Sequence, residues 1–339
     1  MKMESKLTEC AMIDRLWTQF YSKEVLDAEM PKYTIYEYIK HKNKAEGKRI
    51  ALEYFGNKIT YKSLIEKIDQ CADALAALGI HEGDIVSICM PTTPEVVYLF
   101  YALSKIGAVS NMIDPRKSAK EIEEYTNEVK SKVFFGIDVV SEKTRELRKN
   151  TTVENIVIIT LYESFKAPIR QLLRWKDKVT TKMAQSCDAS EFMSWPQFIS
   201  KKGMKKAMSC KYRKDMPVTI VHTGGTTGKS KGVILSNDNI NCGAYQCEIC
   251  GLDFSDRGTW LDIMPPFIAY GVGNGLHLPL SMGMKTILLP KFDPSKFDEI
   301  LLKHRPNYMA GVPSHYGYLL KSTKLAHRFI FYKNTYRRR

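Results

Sequence analysis

Between residues 59 and 160, short β-branched or aliphatic runs alternate with stretches whose apolar residues recur every three or four positions, and few folds accept that rhythm. Leu64, Ile68, Cys71, Leu75 and Leu78 make one helical stripe over residues 61–78, with Thr60 placed as a cap and Gly79 as a stop. The pattern then predicts a strand over 85–90 closed by Pro91, a largely apolar helix over 95–106, and a strand over 108–113. A polar helix over 118–130, a strand over 133–137, a helix over 139–149 and a strand over 155–160 continue it. Strands separated by helices pair in parallel through right-handed crossovers, so the predicted fold class is α/β, doubly wound.

The rhythm stops over residues 163–216 and resumes at Val218. Beyond it, Ser236 can cap a helix running to about 250, with strands predicted over 260–264, 285–289 and 308–312 and a short helix over 297–303. In the interrupting segment, Phe165, Ile169, Leu172 and Leu173 make one helical face, ringed by Lys166, Arg170, Arg174, Lys176 and Lys178. That composition suits peripheral contact of residues 165–178 with an anionic membrane, or a surface helix packed on its own domain with solvated lysines.

Residues 219–232 read Thr-Ile-Val-His-Thr-Gly-Gly-Thr-Thr-Gly-Lys-Ser-Lys-Gly. Gly224, Gly225 and Gly228 permit positive φ and close approach of the backbone to a ligand, so successive N–H groups can nest an anion. Thr223, Thr226 and Thr227 add hydroxyl donors, and Lys229 and Lys231 add charge. A Walker A loop requires glycine where Thr223 stands, and its lysine opens a helix. Here the loop is strung between two strand-like runs, 218–221 and 233–235. A P-loop ATPase is therefore the weaker alternative.

The loop resembles the signature of the adenylate-forming (AMP-binding) superfamily, Thr-Ser/Gly-Gly-Thr-Thr-Gly-x-Pro-Lys-Gly, over Thr223 to Gly232, with Ser230 in place of the usual proline and Lys231 in the lysine position. Ile59-Thr60-Tyr61-Lys62-Ser63-Leu64 is similar to an upstream box, and so are residues 103–108 followed by Ile113-Asp114-Pro115. Downstream, residues 265–271 resemble the Pro-x-Phe-His segment and Gly311-Val312-Pro313-Ser314 the start of the acyl pocket, so the likeness runs from about 33 to about 320. It implies the doubly wound parallel sheets of the family's N-terminal domain, incomplete and without the C-terminal domain. Residues 1–30 would be an extension, 31–322 a partial AMP-binding domain with the basic insertion 163–216, and 323–339 a disordered basic tail.

The same resemblance implies ATP-dependent activation of a carboxylic acid, a fatty acid by preference, to an acyl-adenylate and its transfer to coenzyme A. ATP, Mg2+ and coenzyme A would be the cofactors. Thr223, Gly224, Gly225, Thr226, Thr227, Gly228 and Lys231 would bind the phosphates; Tyr270, Gly271, Gly311, Val312, Pro313 and Ser314 would line the acyl pocket. The family's magnesium-binding acid, ribose-binding aspartate and C-terminal lysine cannot be placed in this sequence. Ile268 and Asn237 stand where relatives often carry histidine. Impaired activity is therefore expected, and a non-catalytic remnant that binds nucleotide weakly is the alternative.

The net charge of +14 is uneven: residues 166–214 hold thirteen Lys/Arg against three acids and residues 323–339 six more against none, leaving the rest slightly acidic. With no binding-motif pattern beside the charge, a nucleic-acid partner is not expected. The first residues lack the apolar core of a signal peptide and no run is long enough to span a bilayer, which predicts a cytoplasmic protein. The eight cysteines are then expected as thiols; Cys247-Glu248-Ile249-Cys250 lacks the second pair that a zinc site requires, so no metal site is expected.

Overall fold

The computed structural model describes residues 8, 10–180, 192–224, 230–250, 254 and 256–322, with backbone alone for 176–180. Among the described residues twelve strands run in chain order: β1 (Ile50–Tyr54), β2 (Asn57–Thr60), β3 (Ile85–Cys89), β4 (Val109–Met112), β5 (Val133–Ile137) and β6 (Asn155–Ile159), then β7 (Met193–Ser194), β8 (Pro217–His222), β9 (Gly232–Ser236), β10 (Thr259–Asp262), β11 (Lys285–Leu288) and β12 (Tyr308–Met309). They form a seven-stranded sheet ordered β7-β6-β5-β3-β4-β8-β9 and a five-stranded sheet ordered β12-β10-β11-β1-β2. Every pairing is parallel except the two hairpins, β1 with β2 and β8 with β9.

Local chemistry explains the main joints. The Thr60 hydroxyl accepts the Ser63 N–H and starts the helix Tyr61–Ala77, as its sequence position suggests. Tyr61, fully buried, donates from its hydroxyl to the carbonyls of Leu280 and Met284, tying this helix to the second sheet's surroundings. The helix Pro94–Ile106 buries nearly every side chain because it lies between the helices Ile35–Lys42 and Tyr61–Ala77. Asn237, in one histidine position of the resemblance, is a buried clasp. Its Oδ1 accepts the Ile35 N–H at 2.9 Å and its Nδ2 donates to the Met216 carbonyl at 3.1 Å. Ile268, in the other, packs against both the main core and the smaller core around Leu261 and Phe297.

Several expectations need correction. Residues 139–149 are not one helix: a 3-10 turn, Asp138–Val140, leads to the short helices Ser141–Thr144 and Leu147–Asn150. Arg145 and Glu146 keep right-handed dihedrals between them, so the buried stripe Val140, Thr144, Leu147 survives without continuous helical hydrogen bonding. The interruption at 163–216 is also partial. It contributes β7, whose Met193 and Ser194 pair with Val157 and Ile158, and the helix Trp195–Ser200, opened by a Ser194 capping box. The final strand stops at Met309, short of the 308–312 expected, and a helix, Pro313–Leu320, opens soon after with proline at its first position. No helix among the described residues is long and apolar enough to cross a membrane.

Candidate functional site

The threonine- and glycine-rich loop joins the end of β8 to the start of β9. Thr223 N–H donates to the Lys231 carbonyl at 3.0 Å, Lys231 N–H donates to Thr223 Oγ1 at 3.2 Å, and Ser230 Oγ donates to the Thr223 carbonyl. The hairpin is thereby closed at its neck, and the Thr223 hydroxyl is occupied by the main chain of Lys231. Gly224 does not take the left-handed conformation expected of it; a Cβ there would meet nothing within 4 Å, so the backbone stands open. Lys231 is exposed. Gly225, Thr226, Thr227 and Gly228 lie outside the described residues.

A stack with no local signal in the chain steadies the neck. His222, the last residue of β8, lies flat on Tyr125 with ring centroids 4.1 Å apart and 16° between planes. Asn111 on β4 donates from Nδ2 to Ser87 Oγ and to the Tyr125 carbonyl, both at 3.1 Å, which turns its Oδ1 toward His222 at 2.8 Å. That acceptor fixes the proton on Nε2. Burial holds the imidazole below its ordinary range, so it stays neutral beside the loop.

The other candidate residues gather around the segment after β10. Tyr270 is half-exposed, and burial with Tyr316 and Cys247 nearby raises its phenol above the usual range. Gly311 lies against Tyr316, whose ring atoms would be 3.4 Å from an added Cβ, and Val312 N–H donates to His315 Nδ1 at 3.4 Å. Pro313 and Ser314 form the exposed first turn of the helix that carries Tyr316. Tyr270, Gly311 and Tyr316 therefore share one neighbourhood. Gly271 packs closely on the preceding backbone: an added Cβ would sit 1.8 Å from the Pro265 carbonyl oxygen.

These segments follow the carboxyl ends of parallel strands, where open α/β sheets bind ligands. The two sheets meet there as well. The Thr92 hydroxyl, beyond β3, donates to the Met264 carbonyl beyond β10 at 3.5 Å. The Arg116 guanidinium, beyond β4, sits 5.5 Å from the Phe267 ring and is held by Asp114 at 2.7 Å.

Two fully buried ionisable groups flank this region, and neither was anticipated. Asp262 ends β10; its Oδ1 accepts the Met264 N–H at 3.0 Å, and an added Cβ on Gly275 would lie 2.6 Å from that oxygen. Burial pushes its carboxyl up to about 8. His277, at the end of a π-helical turn Gly271–His277, meets the Tyr101 hydroxyl at 3.1 Å, and burial lowers its imidazole to about 3. Among the described residues no group of three or more His, Cys, Asp or Glu side chains could hold a metal ion.

The AMP-binding enzyme family model matches residues 39–336, and the chain belongs to that family. It is 27% identical over 282 residues to a long-chain-fatty-acid–CoA ligase of Bacillus subtilis, covering 82% of this chain and 50% of that protein. It is 29% identical over 248 residues to a 2-succinylbenzoate–CoA ligase of Bacillus cytotoxicus, covering 73% and 41%. Among solved structures, the anthranilate CoA ligase AuaEII bound to anthranoyl-AMP superposes with a TM-score of 0.72 at 17% identity, over 88% of this chain and 53% of that one. A long-chain-fatty-acid-CoA ligase from Archaeoglobus fulgidus gives 0.69 at 19%, over 86% and 54%. The chain thus spans about half the length of the curated relatives it matches.

Proposed function

We propose that this chain forms the nucleotide- and acid-binding part of an AMP-forming acid–CoA ligase whose acid is a fatty acid. The observation that supports the reading is that the closed β8–β9 neck and the Tyr270/Gly311/Tyr316 neighbourhood each follow the carboxyl ends of parallel strands. In this reading a carboxylate oxygen attacks the α-phosphorus of ATP, pyrophosphate leaves, and the thiol of coenzyme A then displaces AMP from the acyl-adenylate. The chain's own part is positioning and charge stabilisation. In this reading the residues that bind the β- and γ-phosphates are Gly224, Gly225 and Gly228 through N–H groups, Thr226 and Thr227 through hydroxyls, and Lys231 through its ammonium. Thr223, engaged at the neck, positions the loop. Magnesium would arrive with the nucleotide, whose phosphates supply its ligands.

The preference for a fatty acid rests on the Bacillus subtilis relative; the aryl acids named for other relatives are the competing class. Calorimetric titration of the full chain with ATP tests the loop. Lys231→Ala and Thr227→Ala are each expected to weaken binding about tenfold to a hundredfold, the worth of one charge-assisted hydrogen bond. Wild-type affinity in both would refute the assignment. Pyrophosphate and AMP release on adding long-chain acids, compared with aryl acids, tests the substrate class; ADP as product would instead indicate a phosphotransfer ATPase.

A further inference from the structure

The helix Ala167–Thr180 is turned opposite to an ordinary surface helix. Ile169, Leu172 and Trp175 are 51%, 64% and 64% exposed, so the apolar stripe faces water. The opposite side is tied to the body: Arg174 Nη2 reaches Glu163 Oε1 at 2.6 Å, and Arg170 Nη1 donates to the Glu163 carbonyl at 3.3 Å. Just ahead of the helix, Phe165 is wedged against Phe55 and Tyr54, with ring centroids 4.6 and 5.7 Å away. Phe55 itself is 58% exposed and widens the apolar face.

Water alone disfavours such an arrangement, and a contiguous exposed apolar face marks an interaction surface. The helix's own charge selects the occupant. Residues 166–178 carry five Lys/Arg against one acid, which disfavours a second copy of the same face and favours an anionic one. A tryptophan and two aliphatic side chains on a basic helix match the boundary between lipid headgroups and acyl chains.

We propose that Ile169, Leu172 and Trp175 dock this chain peripherally on a bilayer containing anionic lipid, the basic residues of the segment supplying the charge. The helix lies in the interface and does not span it. Docking is a property of this face alone and holds whatever acid, if any, the chain activates.

Co-sedimentation of the full chain with phosphatidylcholine vesicles, with and without phosphatidylglycerol, tests the proposal without substrates. Binding is expected only with the anionic lipid and is expected to weaken as salt rises from 0.1 to about 0.5 M, where screening shortens the reach of the charge. Leu172→Glu and Trp175→Ala should each weaken it about tenfold, while Val139→Glu, at another exposed apolar position, should leave it unchanged. Circular dichroism melting of each variant separates lost docking from lost folding. Equal binding to neutral vesicles, wild-type binding by Leu172→Glu and Trp175→Ala, or no binding at all would overturn the proposal. So would a dimer in sedimentation velocity that Leu172→Glu dissolves, because the face would then belong to a second copy.

Discussion

Gly271→Ala is expected to unfold or aggregate the protein, whereas Gly273→Ala, two residues along the same turn, is expected to be tolerated. At Gly271 an added Cβ would stand 1.8 Å from the Pro265 carbonyl oxygen and 2.6 Å from its carbon, both backbone atoms that no rotamer change can move. The Pro265-Pro266 segment is rigid in φ, so relief must come from separating the π-helical turn from β10. Overpacking of a tight site costs about 1–3 kcal/mol, and a backbone clash this close belongs at or above the upper end. At Gly273 nothing lies within 4 Å, and alanine changes stability by less than about 1 kcal/mol. Thermal melting of both variants checks the contrast, and a Gly271→Ala protein that melts with the wild type would contradict the geometry.

A second large effect is expected in pH dependence. Folded Asp262 titrates at about 8 against an ordinary 3.8. Below about pH 4 folded and unfolded chains both hold the proton; between there and about 8 only the folded chain does. Stability contributed by the neutral carboxyl is therefore full in acid and lost as pH rises through that window, on the order of a few kcal/mol in all. Glu95, buried on Pro94–Ile106 and raised to about 7, slopes the same way. His277 opposes them: neutral when folded down to about 3, it lowers stability as pH falls below its ordinary 6.5. The stability of the wild type should thus decline from about pH 6.5 to 8. In Asp262→Asn that decline should be much shallower, so its melting temperature gains on the wild type between pH 5.5 and 8. An unchanged gap between the two pH values would show that Asp262 ionises normally in the fold.

Much of the frame was legible because local rules governed it. The Thr60 cap, the apolar stripe behind it, and the β-branched runs on either side of residues 223–231 are short-range signals, and the structure honours them. What escaped prediction depends on distant partners. His222 meets Tyr125 and Asn111 only because β8 lies beside β4, and nothing local to any of them announces the stack. The three glycines of Gly271–His277 suggest a loop; the turn is helical because Gly271 and Gly275 admit Pro265 and Asp262 at close range. Likewise, helical periodicity identified an apolar stripe at Ile169 and Leu172 but could not say which way it faced, which Glu163 decides through Arg170 and Arg174. At the candidate site the local contacts were not legible: Thr223 closes the hairpin with Lys231 across eight residues, and Gly271 lies against the Pro265 carbonyl.

The order in which the strands are threaded has a consequence for synthesis on the ribosome. β1 and β2 emerge early, yet Leu52 and Glu53 complete their ladder only with Thr286 and Ile287. Until those residues leave the exit tunnel, the apolar side chains of Leu52 and Tyr54, fully buried in the finished fold, have no sheet to join. Such long-range parallel closure is slow and leaves a sticky nascent edge, so yield in a cell should respond to chaperone supply and to translation speed far more than equilibrium stability alone would suggest.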